Sequence, residues 1–372
     1  MLDTIILKIP IETFSCITNP GKFNPSASTL RRKRGYAKCI KNPTAKDKRE
    51  ENYKPRLTLI KRGKEIYLKV EFSAPKLIFG NNINELREND FDKIVDILQQ
   101  KIKEMGVKLW KHQIEKAEII SFHPSKNIII HNGYTTSFAI RELSKIDLNK
   151  KLDLEKTSFR NNGEALQFYC NRHSFVFYDK IKDLNKPPKR AIDKDQTKKQ
   201  LEILDYIKQK NLNPEILRIE VRLSKRRKMK EVLDKVNFKN DITLENIFNS
   251  YLCKSILNMY WENFFSDNKF LFSVNNRPQA ILQKLLAEHP DLKPSKAIKI
   301  TGLTLLCRDE EGIRGFRSIA EKYNSNFNWS YIKKYLEKIE TKTFVKSKYG
   351  FIKDIEEQLN SFKPIELKIK DI

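Results

Sequence analysis

Nowhere do these 372 residues include a run of 18 apolar ones, and residues 1–10 hold no basic stretch leading into a long apolar segment. Neither a membrane span nor a secretory signal is expected, which places the protein in the cytoplasm as an expectation. Cysteine is scarce. Cys16, Cys39, Cys170, Cys253 and Cys307 are odd in number and show no C-x-x-C spacing, so neither a disulfide framework nor a zinc site is suggested. Histidine is scarcer for its purpose, since His112, His131, His173 and His289 show no ligand spacing. Acid is short as well: 73 Lys and Arg face 47 Asp and Glu, a net charge of +26. An imbalance that large and that spread out is not a tail effect, and its field seeks a polyanion.

What is present supports a folded chain. Hydrophobic residues make up 39% and aromatics 10%, and the length suits two or three domains with a core that needs no staples. Residues 4–9 read as a strand, and residues 19–28 as a loop rich in Pro, Asn, Gly and Ser. Arg31, Arg32, Lys33 and Arg34 follow, and residues 1–70 hold 17 basic against 6 acidic residues. A run of this kind is either a solvated loop or a phosphate contact. Residues 57–60 and 66–72 read as a hairpin turning at Gly63, and residues 88–103 as an amphipathic helix. Two short strands, 117–122 and 127–130, are expected on either side of His123-Pro124-Ser125-Lys126. Strand 164–169 is expected to hairpin into the strand that ends at Tyr178. A helix is expected at 196–210, and a basic one from Lys225 that carries Arg226 and Arg227. Beyond residue 240 everything reads as helix, at 244–265, 279–287, 296–306, 312–323 and 330–339; the last two suggest a helix-turn-helix.

Three places carry candidate chemistry. The run S-F-V-F-Y-D-K-I-K-D-L delivers Tyr178 from a buried strand to the point where polar residues resume, putting a phenol at the rim of a sheet. A phenol oxygen can attack a DNA phosphodiester when the developing charge is stabilised, although a strand-end tyrosine can also be merely amphipathic. The run L-R-I-E-V-R-L is the cleanest alternating strand, with Arg218, Glu220 and Arg222 on one face; they form either a salt-bridge ladder or a metal ligand between two phosphate-binding guanidiniums. Glu71, on strand 66–72, must face solvent or meet a cation.

These motifs, in chain order with M-L-D-T-I-I-L-K-I-P and L-K-V-E-F-S-A-P-K-L-I-F-G-N-N, resemble the replication initiators of the filamentous-phage gene II and X family. More distantly they resemble staphylococcal-type plasmid rolling-circle initiators. The resemblance covers roughly residues 1–235. It implies an α+β fold in which an HUH-like endonuclease core, an antiparallel sheet flanked by helices, spans 1–235 and an all-helical accessory region spans 236–372. It implies rolling-circle replication initiation, by metal-dependent nicking and rejoining of origin DNA through a 5′-phosphotyrosine. Tyr178 matches the nucleophile's strand and Tyr169 is its rival on the preceding one. A Mg²⁺ or Mn²⁺ ion would be held by Glu71, His123 and Glu220, with His123 standing where many relatives carry aspartate. The DNA would be met by Arg31, Arg32, Lys33, Arg34, Arg218, Arg222, Arg226 and Arg227, and a host helicase would be recruited. The alternative is a non-catalytic DNA-binding protein on the same scaffold.

Overall fold

The computed structural model describes the chain except for residues 13, 45–46, 48–52, 148–151, 153, 155, 161–162, 186–195, 275–276, 325–326, 329–330, 333–347 and 367–372. The basic run at 186–190 and most of the helix expected at 330–339 lie outside the described residues.

Nine strands form one sheet: β1 (Leu2–Pro10), β2 (Tyr36–Lys41), β3 (Arg56–Arg62), β4 (Glu65–Ser73), β5 (Glu118–Ile129), β6 (Lys156–Arg160), β7 (Ala165–Tyr169), β8 (His173–Asp179) and β9 (Ile216–Leu223). Their order is β2-β3-β4-β1-β5-β9-β8-β7-β6, and every neighbouring pair is antiparallel. Helices accompany the sheet, so the fold class is α+β. Alternation in the sequence sets the two faces. Leu217, Ile219, Val221 and Leu223 of β9 are fully buried on one face together with Phe175 and Phe177 of β8 and Leu68, Val70 and Phe72 of β4. Each such side chain contributes roughly 1.5–3 kcal/mol on burial. The β3–β4 hairpin closes as expected, with Gly63 at φ 59° in the turn between the paired Arg62 and Glu65.

The helices before the basic one are α1 (Thr29–Arg32), α2 (Ala74–Phe79), α3 (Phe91–Glu104), α4 (Lys111–Glu115), α5 (Thr136–Leu143), α6 (Lys180–Leu184) and α7 (Lys198–Gln209). After them come α8 (Arg226–Lys235), α9 (Leu244–Ile247), α10 (Ser250–Phe265), α11 (Pro278–Glu288), α12 (Pro294–Arg308), α13 (Gly312–Tyr323) and α14 (Gly350–Ser361). The apolar stripe of α3, Ile94, Val95, Leu98 and Ile102, joins the core, α10 packs on β5 and β9, and α14 packs on β5. Gly312 lies so close to the backbone of Lys145 that a Cβ there would sit 2.4 Å from its Cα, which ties α13 to the segment after α5. No helix among the described residues is long and apolar enough to cross a membrane.

Several expectations are corrected. The two strands expected around His123 are one strand, β5. Pro124 is tolerated within it because it faces Leu2 of β1, where the register shifts and no ladder donor is required. The helix expected over 244–265 is broken before Ser250, where the Asn249 side chain accepts from the Leu252 amide and caps α10. Strands β2 and β6 and helices α2, α4 and α14 were not expected. Finally, the boundary at residue 235 falls inside one continuous core: Phe168 and Phe177 lie 5.0 and 5.3 Å from Phe264, and Phe175 lies 5.5 Å from Tyr260, ring to ring.

Candidate nucleic-acid site

Among the described residues, two helices close one end of the second sheet face. Leu184 of α6 and Ile203, Leu204 and Ile207 of α7 pack there with Ile83 against Ile216. Cross-strand register then writes three rows over the rest of the half-sheet from β7 to β5. Ala165, Tyr178, Arg218 and Asn127 form the row beside the closed end. Gln167, Val176, Glu220 and Ser125 form the middle one. Tyr169, Ser174, Arg222 and His123 form the row farthest from the closed end, with Lys156 of β6 beyond Tyr169.

Glu220 is the hub. Its Oε1 accepts from Arg222 Nε at 2.7 Å and lies 3.3 Å from His123 Nδ1. Its Oε2 accepts the Tyr178 hydroxyl at 2.9 Å and lies 3.7 Å from Arg218 Nε. Arg218 donates to Asn82 O at 2.8 Å and Ser125 Oγ at 2.7 Å, and its Nη2 is 3.5 Å from Asp3 Oδ2. The irregularity in β1 between Leu2 and Ile5 brings Asp3 to this face, where it also accepts from Ser73 Oγ at 3.0 Å. Burial works against the Glu220 carboxylate, but Arg222, His123 and Arg218 outweigh it and hold its pKa well below the usual range. Burial and the Glu220 charge push the Tyr178 phenol well above its ordinary value.

Lys180, the first residue of α6, is fully buried, and its ammonium has no hydrogen-bond partner. Burial, then the Arg218 charge, lower its pKa to about 7, with Asp3 and Asp183 opposing. Below pH 7 both folded and unfolded chains carry this proton, so the whole cost of burying the charge is felt. Above it the folded chain sheds the proton and the unfolded one keeps it until near 10.5, so stability rises with pH over that window. The rise should be about 1.4 kcal/mol per pH unit for one proton. Lys180→Met is expected to stabilise the protein at pH 7 by about 1–3 kcal/mol and to remove that slope. Urea titrations at pH 7, 8 and 9 check it; an unchanged slope in the variant would mean that the lysine is not the group that titrates.

The residues singled out in the sequence are only partly brought together. His123 and Glu220 meet as expected. Glu71 does not join them: it sits beside Ile6 on β4, 3.2 Å from Lys69 Nζ, three strands from Glu220 and roughly 20 Å away. Tyr178 is buried, not at the rim, because β8 runs on beneath α6 and its hydroxyl is taken by Glu220. Arg218 is buried too and so is withdrawn from DNA contact. Arg222 keeps 30% of its side chain exposed. Arg31, Arg32, Lys33 and Arg34 are exposed around the end of α1, Arg227 is exposed, and Arg226 is ion-paired with Glu118.

No protein-family profile matches the chain, and neither a curated protein nor a solved structure matches it.

The donor set does not fit the expected divalent ion. Among the described residues no three His, Cys, Asp or Glu side chains converge as a metal requires. Both Glu220 oxygens are already committed, to Arg222 and Tyr178, and Arg218 and His123 also lie against the carboxylate. Asp3 and Lys180 were missed from the sequence. Asp3 had a signal, a single acid in the apolar run M-L-D-T-I-I-L; Lys180, in a polar D-K-I-K-D, had none.

Proposed function

We propose that the protein nicks and rejoins single-stranded DNA at a replication origin, with Tyr169 as the nucleophile, and that it initiates rolling-circle replication of a phage or plasmid. The observation that carries the reading is the row that holds Tyr169 and Arg222, both partly exposed. Tyr169 is half-buried on the sheet face opposite the apolar core, two strands and roughly 10 Å of backbone from Arg222. That gap suits one phosphodiester held between a phenol and a guanidinium. Lys156, directly across from Tyr169, is exposed and favours negative charge developing on the phenol oxygen. The phenol oxygen forms a bond to phosphorus as the bond to the 3′ oxygen breaks; the phenol proton leaves to water and the 3′ oxygen takes one from water. One ester replaces another, so rejoining needs no nucleotide. Tyr178, its hydroxyl bound to Glu220, is a positioning residue that holds the carboxylate under Arg222. The test is a detergent-resistant adduct between the protein and an origin oligonucleotide, sought both with Mn²⁺ and with EDTA in its place.

A second reading is a DNA-binding protein without chemistry, which the net charge of +26 supports by itself. Both readings share one expected result. With a charge of +26, affinity for duplex should fall steeply with salt, with log K against log salt sloping by about −0.9 per phosphate neutralised. Replacing Arg31, Arg32, Lys33 and Arg34 by serine should flatten that slope in filter-binding titrations from low to physiological salt. Salt-independent binding would assign the charge to another partner.

A further inference from the structure

The other half of the same sheet face, across β2, β3, β4 and β1, has no part in the chemistry above. Its buried side is complete, with Cys39, Leu57, Leu59, Leu68, Val70, Phe72, Ile5 and Leu7 all at 0% exposure. On the opposite side register places Tyr36, Lys38 and Ile40 of β2 beside Arg62, Ile60 and Thr58 of β3, then Tyr67 and Lys69 of β4, then Lys8 of β1. Tyr36 is 59% exposed, with the Arg62 guanidinium 5.9 Å from its ring centre, and the Lys8 ammonium stands 4.8 Å from that of Tyr67. Two acids share the face, and each is already paired: Glu65 with Lys8 at 2.7 Å and Glu71 with Lys69 at 3.2 Å. Arg31, Arg32, Lys33 and Arg34 lead directly into Tyr36 at its corner.

We infer that this face is a binding track for single-stranded DNA, in which bases stack on Tyr36 and the backbone follows Lys38, Arg62 and the basic corner. The inference rests on the nicking reading only in that the track would lead a strand toward Tyr169. Duplex fits the face poorly, because its bases are stacked on one another and offer no ring to a tyrosine, whereas an unpaired base does. Tyr67 is buried, so the ring offered to a base is Tyr36, flanked by cations on a β surface, and such stacking tolerates any base sequence.

The test is fluorescence anisotropy with a labelled oligo(dT) of about 12 nucleotides, within the length that such platforms cover, and with a duplex of equal length. The Tyr169→Phe protein is used throughout, so that equilibrium binding is read without chemistry. Tyr36→Ala should weaken oligo(dT) binding by about tenfold or more and leave duplex binding unchanged. Tyr36→Phe, which keeps the ring, should restore it. Trp110→Ala is the control: Trp110 is 61% exposed with Lys108 5.4 Å from its ring, but it stands at the entrance to α4 and not on the sheet. The inference is overturned if Tyr36→Ala binds oligo(dT) like its parent, if it loses duplex equally, or if Trp110→Ala loses as much. A protein that forms no adduct yet shows the Tyr36 effect would lose the nicking reading and keep the track; the reverse pattern would do the opposite.

Discussion

Tyr169→Phe is expected to form no covalent adduct with origin DNA while binding it as the wild type does. A phenyl ring has no oxygen with which to attack phosphorus, so the loss is complete, not graded. Tyr169 is half-buried, and a change of this kind at a partly exposed position costs within about 0.5 kcal/mol, so folding is not the reason for the loss. Tyr178→Phe is the matched comparison on the adjacent strand and should behave in the opposite way. It leaves Glu220 Oε2 without its 2.9 Å donor inside the buried cluster, which costs about 1–3 kcal/mol of stability, yet the adduct should still form. Denaturing gels after incubation, beside thermal melts of the same preparations, read both outcomes. If Tyr178→Phe abolishes the adduct and Tyr169→Phe does not, the roles given to the two tyrosines are reversed. If the wild type forms none on its own origin, the binding-only reading holds.

The largest loss of stability is expected at Glu220. Glu220→Ala removes the carboxylate that Arg222, Arg218, His123 and Tyr178 all approach, leaving buried Arg218 with Asp3 at 3.5 Å as its remaining carboxylate partner. Breaking a buried ion pair from one side costs about 3–5 kcal/mol, because the remaining charge stays buried. Adding Arg222→Met should recover part of this, since fewer charges are then left without their counterpart. Guanidinium midpoints for the single and double variants measure the difference, and a loss under about 1 kcal/mol would mean that the cluster is solvated in solution. Acid provides an independent check. The Glu220 pKa is depressed, so its contribution is present at and above the ordinary 4.5 and is lost only as pH falls through the lower folded value. Mild acid alone should leave the site intact.

Much of the fold was legible in the residues because strand period and burial coincide. L-R-I-E-V-R-L alternates so regularly that its two faces, and the placing of Arg218, Glu220 and Arg222 together, could be read directly; β9 confirms them. The same logic failed where a local signal competed with a partner in space. Pro124 argued for a break, but the irregular pairing of β1 absorbed it. Y-A-K-C-I-K was hidden in a basic stretch and became a strand only through β3, and K-T-S-F-R only through β7.

The amino-acid sequence by itself determined the excess of positive charge, the apolar alternation of the Arg-Glu-Arg strand, and the hairpin that joins the two tyrosine-bearing strands, because composition, period-2 patterning and short turns are local properties. Only the tertiary structure decided which tyrosine faces solvent. Tyr169 and Tyr178 lie on the same sheet face by register, and nothing within either strand separates them. What separates them is α6 and α7, which close one end of that face, where Tyr178 is buried against Glu220, while Tyr169 lies in the row farthest from that end with Arg222 and His123. Tertiary structure likewise excluded Glu71, three strands away, and brought in Asp3, since the distance between side chains on different strands is set by strand order and register, which no single stretch of the chain encodes.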